Sequence, residues 1–69
     1  MDLIKTANRH SQIEYRAEGT NLGAVRTACN LVVFGVWLAS GEFQVAHYKG
    51  SRMYRTEGSA ERAIARWVS

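Results

Sequence analysis

Residues 31–57 have the sequence LVVFGVWLASGEFQVAHYKGSRMYRTE, in which short glycine-containing breaks separate three segments. The first segment, Leu31 to Ala39, is apolar throughout and rich in the β-branched and aromatic residues that are typical of strands. Two further segments follow, Glu42 to Lys49 and Arg52 to Glu57, each after a two-residue break, Ser40-Gly41 or Gly50-Ser51. Segments of this length joined by such breaks predict two consecutive β-hairpins.

Pairing across the predicted turns assigns each side chain to a face, because directly opposed residues share one face of a sheet. A two-residue loop at Ser40-Gly41 sets Leu38 opposite Phe43 and Val36 opposite Val45. The predicted core face then collects Val32, Phe34, Val36, Leu38, Phe43 and Val45, with His47 beside them as a hydrogen-bonded structural histidine. The predicted outer face collects Val33, Trp37, Gln44, Tyr48, Met53 and Arg55.

The first 30 residues are less sharply patterned. Residues 1–11 are predicted to be a flexible tail or a helical turn that docks Leu3 and Ile4. Residues 12–18 alternate between apolar and polar side chains, which predicts a half-buried strand, and its charged outer face favours a sheet edge. The spacing of Leu22, Val25, Ala28 and Cys29 predicts a short helix over 21–29. The same pattern also fits one long helix over 21–39, although Gly35 and the many β-branched residues disfavour it.

The C-terminal segment has the clearest helical pattern. Ser59 is a helix-capping residue type, and Glu61 lies in the first turn, where a carboxylate is favourable. Apolar residues then recur on one side of a helix predicted over 59–68, at Ala60, Ala63, Ile64, Trp67 and Val68. This stripe is expected to cover the core face of the sheet, with Arg62 and Arg66 on the opposite side. The prediction is an α+β fold, a small antiparallel sheet packed by this helix.

Length and composition indicate one small domain spanning residues 1–69. Nine Lys and Arg residues oppose six Asp and Glu, and the resulting net charge of +3 favours anionic partners. A single cysteine excludes an intramolecular disulfide. The N-terminal residues lack the apolar segment of a signal peptide, and the apolar run at 31–39 is too short to cross a bilayer. A cytoplasmic protein without a membrane partner is therefore expected.

Residues suited to catalysis or metal binding do not form a recognisable pattern. His10, Cys29 and His47 lack metal-ligand spacing, and the helical interpretation makes Cys29 a small core residue. The carboxylates are scattered, and no glycine-rich phosphate loop is present. We therefore predict no catalytic residues, no metal site, no cofactor and no enzymatic activity.

The predicted outer face is the candidate binding surface. It presents Trp37, Tyr48, Met53 and Arg55, and Lys49 and Arg52 flank the adjacent turn. Aromatic rings interleaved with Arg and Lys are used both at protein interfaces and for contacts with nucleic acid. The alternative is that residues 1–30 pack over this face as a second core, in which case the site contracts to the 49–52 turn.

Residues 33–68 contain three short motifs that precede a helical one. The three are Gly35-Val36, Ser40-Gly41-Glu42-Phe43-Gln44-Val45 and Lys49-Gly50-Ser51-Arg52, and the helical motif is Ser59-Ala60-Glu61-Arg62-Ala63. This layout of three strands and a helix resembles the DNA-binding domain of plant ethylene-response factors and the arm-binding domains of phage tyrosine integrases. The resemblance implies that the sheet face away from the helix enters the major groove. For this sequence, the resemblance implies that Trp37, Arg52 and Arg55 contact the DNA, with Tyr48 and Gln44 beside them.

As a short, cysteine-poor chain without predicted catalytic residues, the protein also resembles the small accessory proteins of phages and mobile elements, such as anti-CRISPR proteins. The leading hypothesis is an inhibitor or accessory protein that docks on a nucleic-acid-handling host complex in the host cytoplasm. The second is a direct DNA- or RNA-binding module. The third is a structural homodimer that hides Trp37 and Tyr48 in a self-interface.

Overall fold

The structure, a computed structural model, describes residues 3–69 and places six strands and one helix in this part of the chain. The elements are β1 (Leu3–Ala7), β2 (Ile13–Ala17), β3 (Leu22–Arg26), β4 (Leu31–Trp37), β5 (Phe43–Val45), β6 (Ser51–Met53) and α1 (Glu57–Val68). All strand pairs are antiparallel, in the order β1-β2-β3-β4-β5, and β6 also pairs with β4. The predicted α+β class is confirmed.

The last two strands lie end to end along the same edge of β4. β5 pairs with Gly35 to Trp37, and β6 continues in the same direction along Leu31 to Val33. Residues 46–50 loop out between them. The backbone of Phe34 bridges the two ends of this loop: its carbonyl accepts from the Ala46 amide, and its amide donates to the Gly50 carbonyl. The predicted second hairpin is therefore wrong, because β6 pairs with β4 and not with β5. We call residues 46–50 the edge loop.

The first predicted hairpin is present but shifted by one residue. Trp37 lies opposite Phe43, and the Leu38 amide donates to the Glu42 carbonyl, so the loop has three residues. Gly41, at a φ of 94°, supplies the left-handed residue that such a loop needs. A one-residue shift moves side chains to the other face. Phe43 and Val45 therefore lie on the face of Trp37, not on the predicted core face, Gln44 lies on the opposite face, and Leu38 is exposed beyond the end of β4.

The N-terminal half extends the sheet. The strand predicted over 12–18 is present as β2, but β1 and β3 flank it, so it is not an edge. Residues 3–7 form the edge strand β1, which corrects the tail or helical turn predicted for 1–11; residues 1 and 2 lie outside the described residues. The helix predicted over 21–29 and the alternative helix over 21–39 are both wrong, because these residues form β3 and β4.

The helix covers one face of the sheet. Ala60, Ile64 and Val68 of α1 are buried, packing on a sheet face whose largest buried side chains are Tyr15, Val32 and Phe34. The predicted apolar stripe is confirmed, although α1 begins two residues earlier than predicted, at Glu57. The cap is Thr56, not Ser59: its Oγ1 accepts a hydrogen bond from the Ser59 amide at 3.1 Å.

A hydrogen-bond network ties the first half of α1 to the sheet. The buried Arg26 donates to the Tyr15 hydroxyl at 2.9 Å, which in turn donates to Glu61 at 2.8 Å. Lys5 donates to the same Glu61 oxygen, and Arg26 also pairs with Glu57 at 3.1 Å. Because a buried cation is costly unless it is paired, this network explains how the sheet accommodates Arg26 beneath the helix. Within residues 3–69, no helix is long and apolar enough to cross a membrane.

Candidate functional site

The structure divides five of the six predicted site residues between two sides of the sheet. Trp37 and Met53 lie on the face opposite the helix, since Met53 is paired with Leu31 on that face. Arg52 pairs with the buried Val32 and therefore lies on the helix side. The edge loop brings Tyr48 and Lys49 to the helix side as well, where they contact aromatic residues of the core. The sixth, Arg55, is exposed in the segment between β6 and α1.

The helix-side residues meet α1 in a groove of about 360 Å³. We call this site the basic groove and define it by its lining residues, Lys49, Arg52, Tyr54, Ala63, Arg66 and Trp67. One wall is formed by the edge loop and β6, and the other by the C-terminal half of α1. Arg66 and Trp67 therefore belong to the candidate site, although the sequence pattern assigned Trp67 to the core stripe and Arg66 to the solvent side.

Contacts with the core fix the aromatic and cationic groups of the basic groove. Lys49 Nζ lies 5.2 Å from the ring centroid of Phe34, a cation–π contact with a buried ring. The indole Nε1 of Trp67 donates to the carbonyl oxygens of Gly23 at 3.0 Å and Gly35 at 3.3 Å. Tyr48 then lies against Trp67, with ring centroids 5.9 Å apart. The groove is thus built against the buried core of the fold.

The charge of the basic groove is unbalanced. Of the nine Lys and Arg residues, Lys5, Arg16 and Arg26 form ion pairs within residues 3–69, and the other six form none there. Three of those six, Lys49, Arg52 and Arg66, line the groove, and its lining contains no carboxylate. Cations gathered in a concave site focus a positive potential, so the basic groove can attract and hold an anion.

The face opposite the helix, which we call the open face, is not covered within residues 3–69. Residues 3–30 add three strands to the sheet, so the predicted alternative, a second core over this face, is wrong. Trp37 lies flat on the sheet: its Nε1 donates to the Tyr15 carbonyl at 2.8 Å, and its ring contacts Phe43 at 4.8 Å between centroids. Val25, Val33, Trp37 and Phe43 contribute to a shallow depression of about 720 Å³.

On the open face, Arg16 and Glu14 are partnered with each other, whereas Arg9 and Glu42 line the depression without an ion pair to any of the described residues. The Arg16 guanidinium carbon stacks 3.9 Å from the Trp37 ring centroid, and Arg16 also pairs with Glu14 at 3.4 Å. The arrangement implied by the resemblance, with Trp37 and Arg52 on one face away from the helix, is not formed. The centre of the open face, around Val33, Trp37 and Phe43, is apolar, and polar side chains surround it.

The two residues assigned to the core as small or structural groups are exposed. Cys29 lies in the turn between β3 and β4, and His47 lies in the edge loop, so both assignments are corrected. The Thr27 hydroxyl, 3.2 Å from the Cys29 sulfur, lowers the pKa of this thiol. No cluster of three or more His, Cys, Asp or Glu side chains that could hold a metal occurs within the part of the chain that the structure describes.

Comparisons with protein-family models, with curated proteins and with solved structures gave no match to this chain.

Proposed function

We propose that this chain is a non-catalytic binding protein that engages the phosphate groups of nucleic acid through the basic groove. One observation carries the proposal: Lys49, Arg52 and Arg66 converge from three different elements on one concave site without a carboxylate among its lining residues. Unpaired cations that are close in space repel one another. Their convergence is therefore best explained by an anionic ligand that offsets this repulsion.

Aromatic residues favour nucleic acid over other anions. Tyr54 and Trp67 line the groove, and Tyr48 stands at its rim with 85% of its surface exposed. Positively charged grooves with aromatic rings beside them are the usual surface for nucleic-acid strands, because rings stack on bases while cations contact phosphates. An acidic protein surface would use the same cations but would gain less from the exposed ring.

The proposed setting is a nucleic-acid-handling host complex, which the chain would occupy as a small accessory or inhibitor protein of the phage type, such as an anti-CRISPR protein. The two separate surfaces, the basic groove and the open face, support this setting. In such a complex the basic groove would contact the nucleic acid and the open face a protein subunit. A direct DNA- or RNA-binding module would use the groove alone.

Fluorescence anisotropy of labelled oligonucleotides, measured over a series of salt concentrations, tests the proposal. We expect binding at low ionic strength that weakens steeply as salt rises, since each phosphate contact releases counterions. Replacing Lys49, Arg52 and Arg66 by Gln together should abolish it. The matched control replaces Arg9, Arg55 and Arg62 by Gln, which removes the same charge away from the groove and should leave most of the affinity. Equal loss in both triple variants, or no binding at low salt, would refute the proposal.

A second candidate function, docking of a protein on the open face, rests on the exposed apolar surface around Trp37 and Phe43. Both rings are half-buried although no element covers them within residues 3–69, and the exposed Val45 and Met53 lie on the same face. Exposed apolar area of this kind is typical of interaction sites. A homodimer is one form of such docking, but Trp37 and Tyr48 lie on opposite sides of the sheet, so one twofold-symmetric self-interface does not hide both. Light scattering over a range of protein concentrations tests the homodimer, which a monomeric mass at every concentration would exclude.

A further inference from the structure

We infer that the basic groove selects single-stranded over double-stranded nucleic acid, with Tyr48 stacking on a base while Lys49, Arg52 and Arg66 hold the adjoining phosphates. The inference rests on the proposed function and specifies its ligand. It follows from the exposure of Tyr48, from its position next to Lys49, and from the stacking that keeps the base faces of a duplex inaccessible.

Tyr48 is the most exposed of the large hydrophobic residues of the described chain, at 85%. Its backbone is nevertheless held, because the amides of the next two residues, Lys49 and Gly50, both donate to the Ala46 carbonyl at 2.9 Å. Gly50 adopts a φ of 72°, which a glycine tolerates without strain. With one side against Trp67 and the rest in solvent, the ring is pre-positioned to stack on a base.

The neighbouring side chain supplies the complementary contact. Lys49 follows Tyr48 directly in the chain, and its ammonium is directed into the groove over the Phe34 ring. Arg52 and Arg66 line the same groove. A strand whose base stacks on Tyr48 therefore has its sugar-phosphate backbone beside three cations. This combination of one ring at the rim and several cations behind it is the pattern of single-strand grooves.

A duplex does not fit this arrangement. Its bases present only their edges in the grooves, and their faces are stacked inside the helix, where Tyr48 cannot reach them. Proteins that read a duplex insert a helix or a two-stranded ribbon that carries polar side chains into the major groove. On the open face, the sheet surface available for this purpose, Arg16 is already stacked on Trp37 and paired with Glu14.

Three probes of the same length, about 12 nucleotides, separate the contributions to binding. They are a thymidine oligonucleotide, a duplex, and an abasic strand that keeps the phosphates but lacks the bases. We expect the single strand to bind about tenfold more tightly than the duplex or the abasic strand, because only the single strand offers a free base face. In Tyr48→Ala this preference should disappear, whereas Tyr48→Phe, which keeps the ring, should retain it.

The outcomes distinguish the inference from the proposed function. Equal or tighter binding of the duplex, or an unchanged preference in Tyr48→Ala, would overturn the single-strand inference while leaving phosphate binding intact. Binding of none of the three probes at low salt would overturn the proposed function itself. Because Tyr48 is exposed, circular dichroism of both Tyr48 variants should show an intact fold, which makes the comparison interpretable.

Discussion

The phenol ring of Tyr48 lies against the indole ring of Trp67, with 5.9 Å between their centroids, and so joins the edge loop to the helix. Trp67 in turn donates to the carbonyls of Gly23 and Gly35 in the middle of the sheet. The rim of the basic groove is therefore connected through one side chain to the centre of the fold. Changes that move α1 should therefore alter the groove.

Arg66 and Arg62 provide a matched pair on the same helix. Both are exposed, but Arg66 lines the basic groove, whereas Arg62 donates to Ser59 one turn earlier. We expect Arg66→Gln to weaken oligonucleotide binding and to reduce the slope of log affinity against log salt by about 0.7, the value for one phosphate contact with a single strand. Arg62→Gln should change the slope much less. Equal slopes in the two variants would place the bound nucleic acid elsewhere.

Gly35 is required where β4 meets β5. A Cβ added there would lie 2.8 Å from Cζ of Phe43 and would collide with the Gln44 carbonyl oxygen. We expect Gly35→Ala to lower the free energy of unfolding by about 2 kcal/mol or more, measured by urea denaturation. In Gly58→Ala, where the added carbon meets nothing closer than 3.5 Å, stability should be unchanged or up to about 1 kcal/mol higher. Similar behaviour of both variants would contradict the packing described for the open face.

The hydroxyl of Tyr15 is the central group of the network beneath α1. It accepts from the buried Arg26 and donates to Glu61, so Tyr15→Phe leaves a buried guanidinium without one of its acceptors. We expect a loss of about 1–3 kcal/mol in the free energy of unfolding. Tyr54→Phe is the control, since no hydrogen bond of the Tyr54 hydroxyl occurs within residues 3–69, and it should have little effect. If Tyr15→Phe left the free energy of unfolding unchanged, the hydrogen bonds of the Tyr15 hydroxyl would add no stability.

Glu61 should make the fold sensitive to acid. The Lys5 ammonium and then the Tyr15 hydroxyl, both hydrogen-bonded to its carboxylate, lower the pKa of Glu61. A carboxyl whose pKa is lower in the folded state binds its proton first in the unfolded chain, so its stabilisation is full above the unfolded pKa and is lost as pH falls through the folded pKa. In denaturation series, the stability difference between wild type and Glu61→Gln should therefore be full at about pH 7 and shrink as pH falls below the ordinary glutamate pKa of about 4.3.

Glu18 offers the control for this titration. It is exposed in the turn between β2 and β3 and forms no ion pair within the described chain. The stability of Glu18→Gln should follow that of wild type throughout the same pH series. If the curves of wild type and Glu61→Gln stayed parallel from neutral to acid pH, the contacts of Glu61 with Lys5 and Tyr15 would not contribute to stability.

The sequence predicts the central strand because β-branched and aromatic residues are dense there, and the C-terminal helix because its apolar residues recur at helical spacing. It does not predict the N-terminal meander, since two of its loops end in the left-handed residues Ser11 and Asn30 and not in glycine. In each loop the amide before the loop donates across it, from Asn8 to Gln12 and from Thr27 to Leu31. The i, i+3 spacing of Leu22 and Val25 indicates a helix, whereas in β3 the two side chains lie on opposite faces of the sheet.

The candidate site was only partly predictable for a related reason. The basic and aromatic character of residues 48–52 is visible in the sequence, but their side of the sheet depends on where the strand pairing resumes. A four-residue offset between β5 and β6 places the edge loop beside α1, and no local pattern specifies this offset. Arg66 and Trp67 join the site only through that placement.

The position of the bound nucleic acid is the most direct test, and it can be mapped from backbone amide chemical shifts. Isotope-labelled protein is titrated at low salt with the thymidine oligonucleotide, and the shifted amides are located on the fold. We predict that they cluster in residues 47–52 and 63–67 around the basic groove, and that Val25, Val33 and Phe43 on the open face remain unchanged. Shifts centred on the open face, or none at saturating oligonucleotide, would contradict the assignment of the basic groove as the nucleic-acid site.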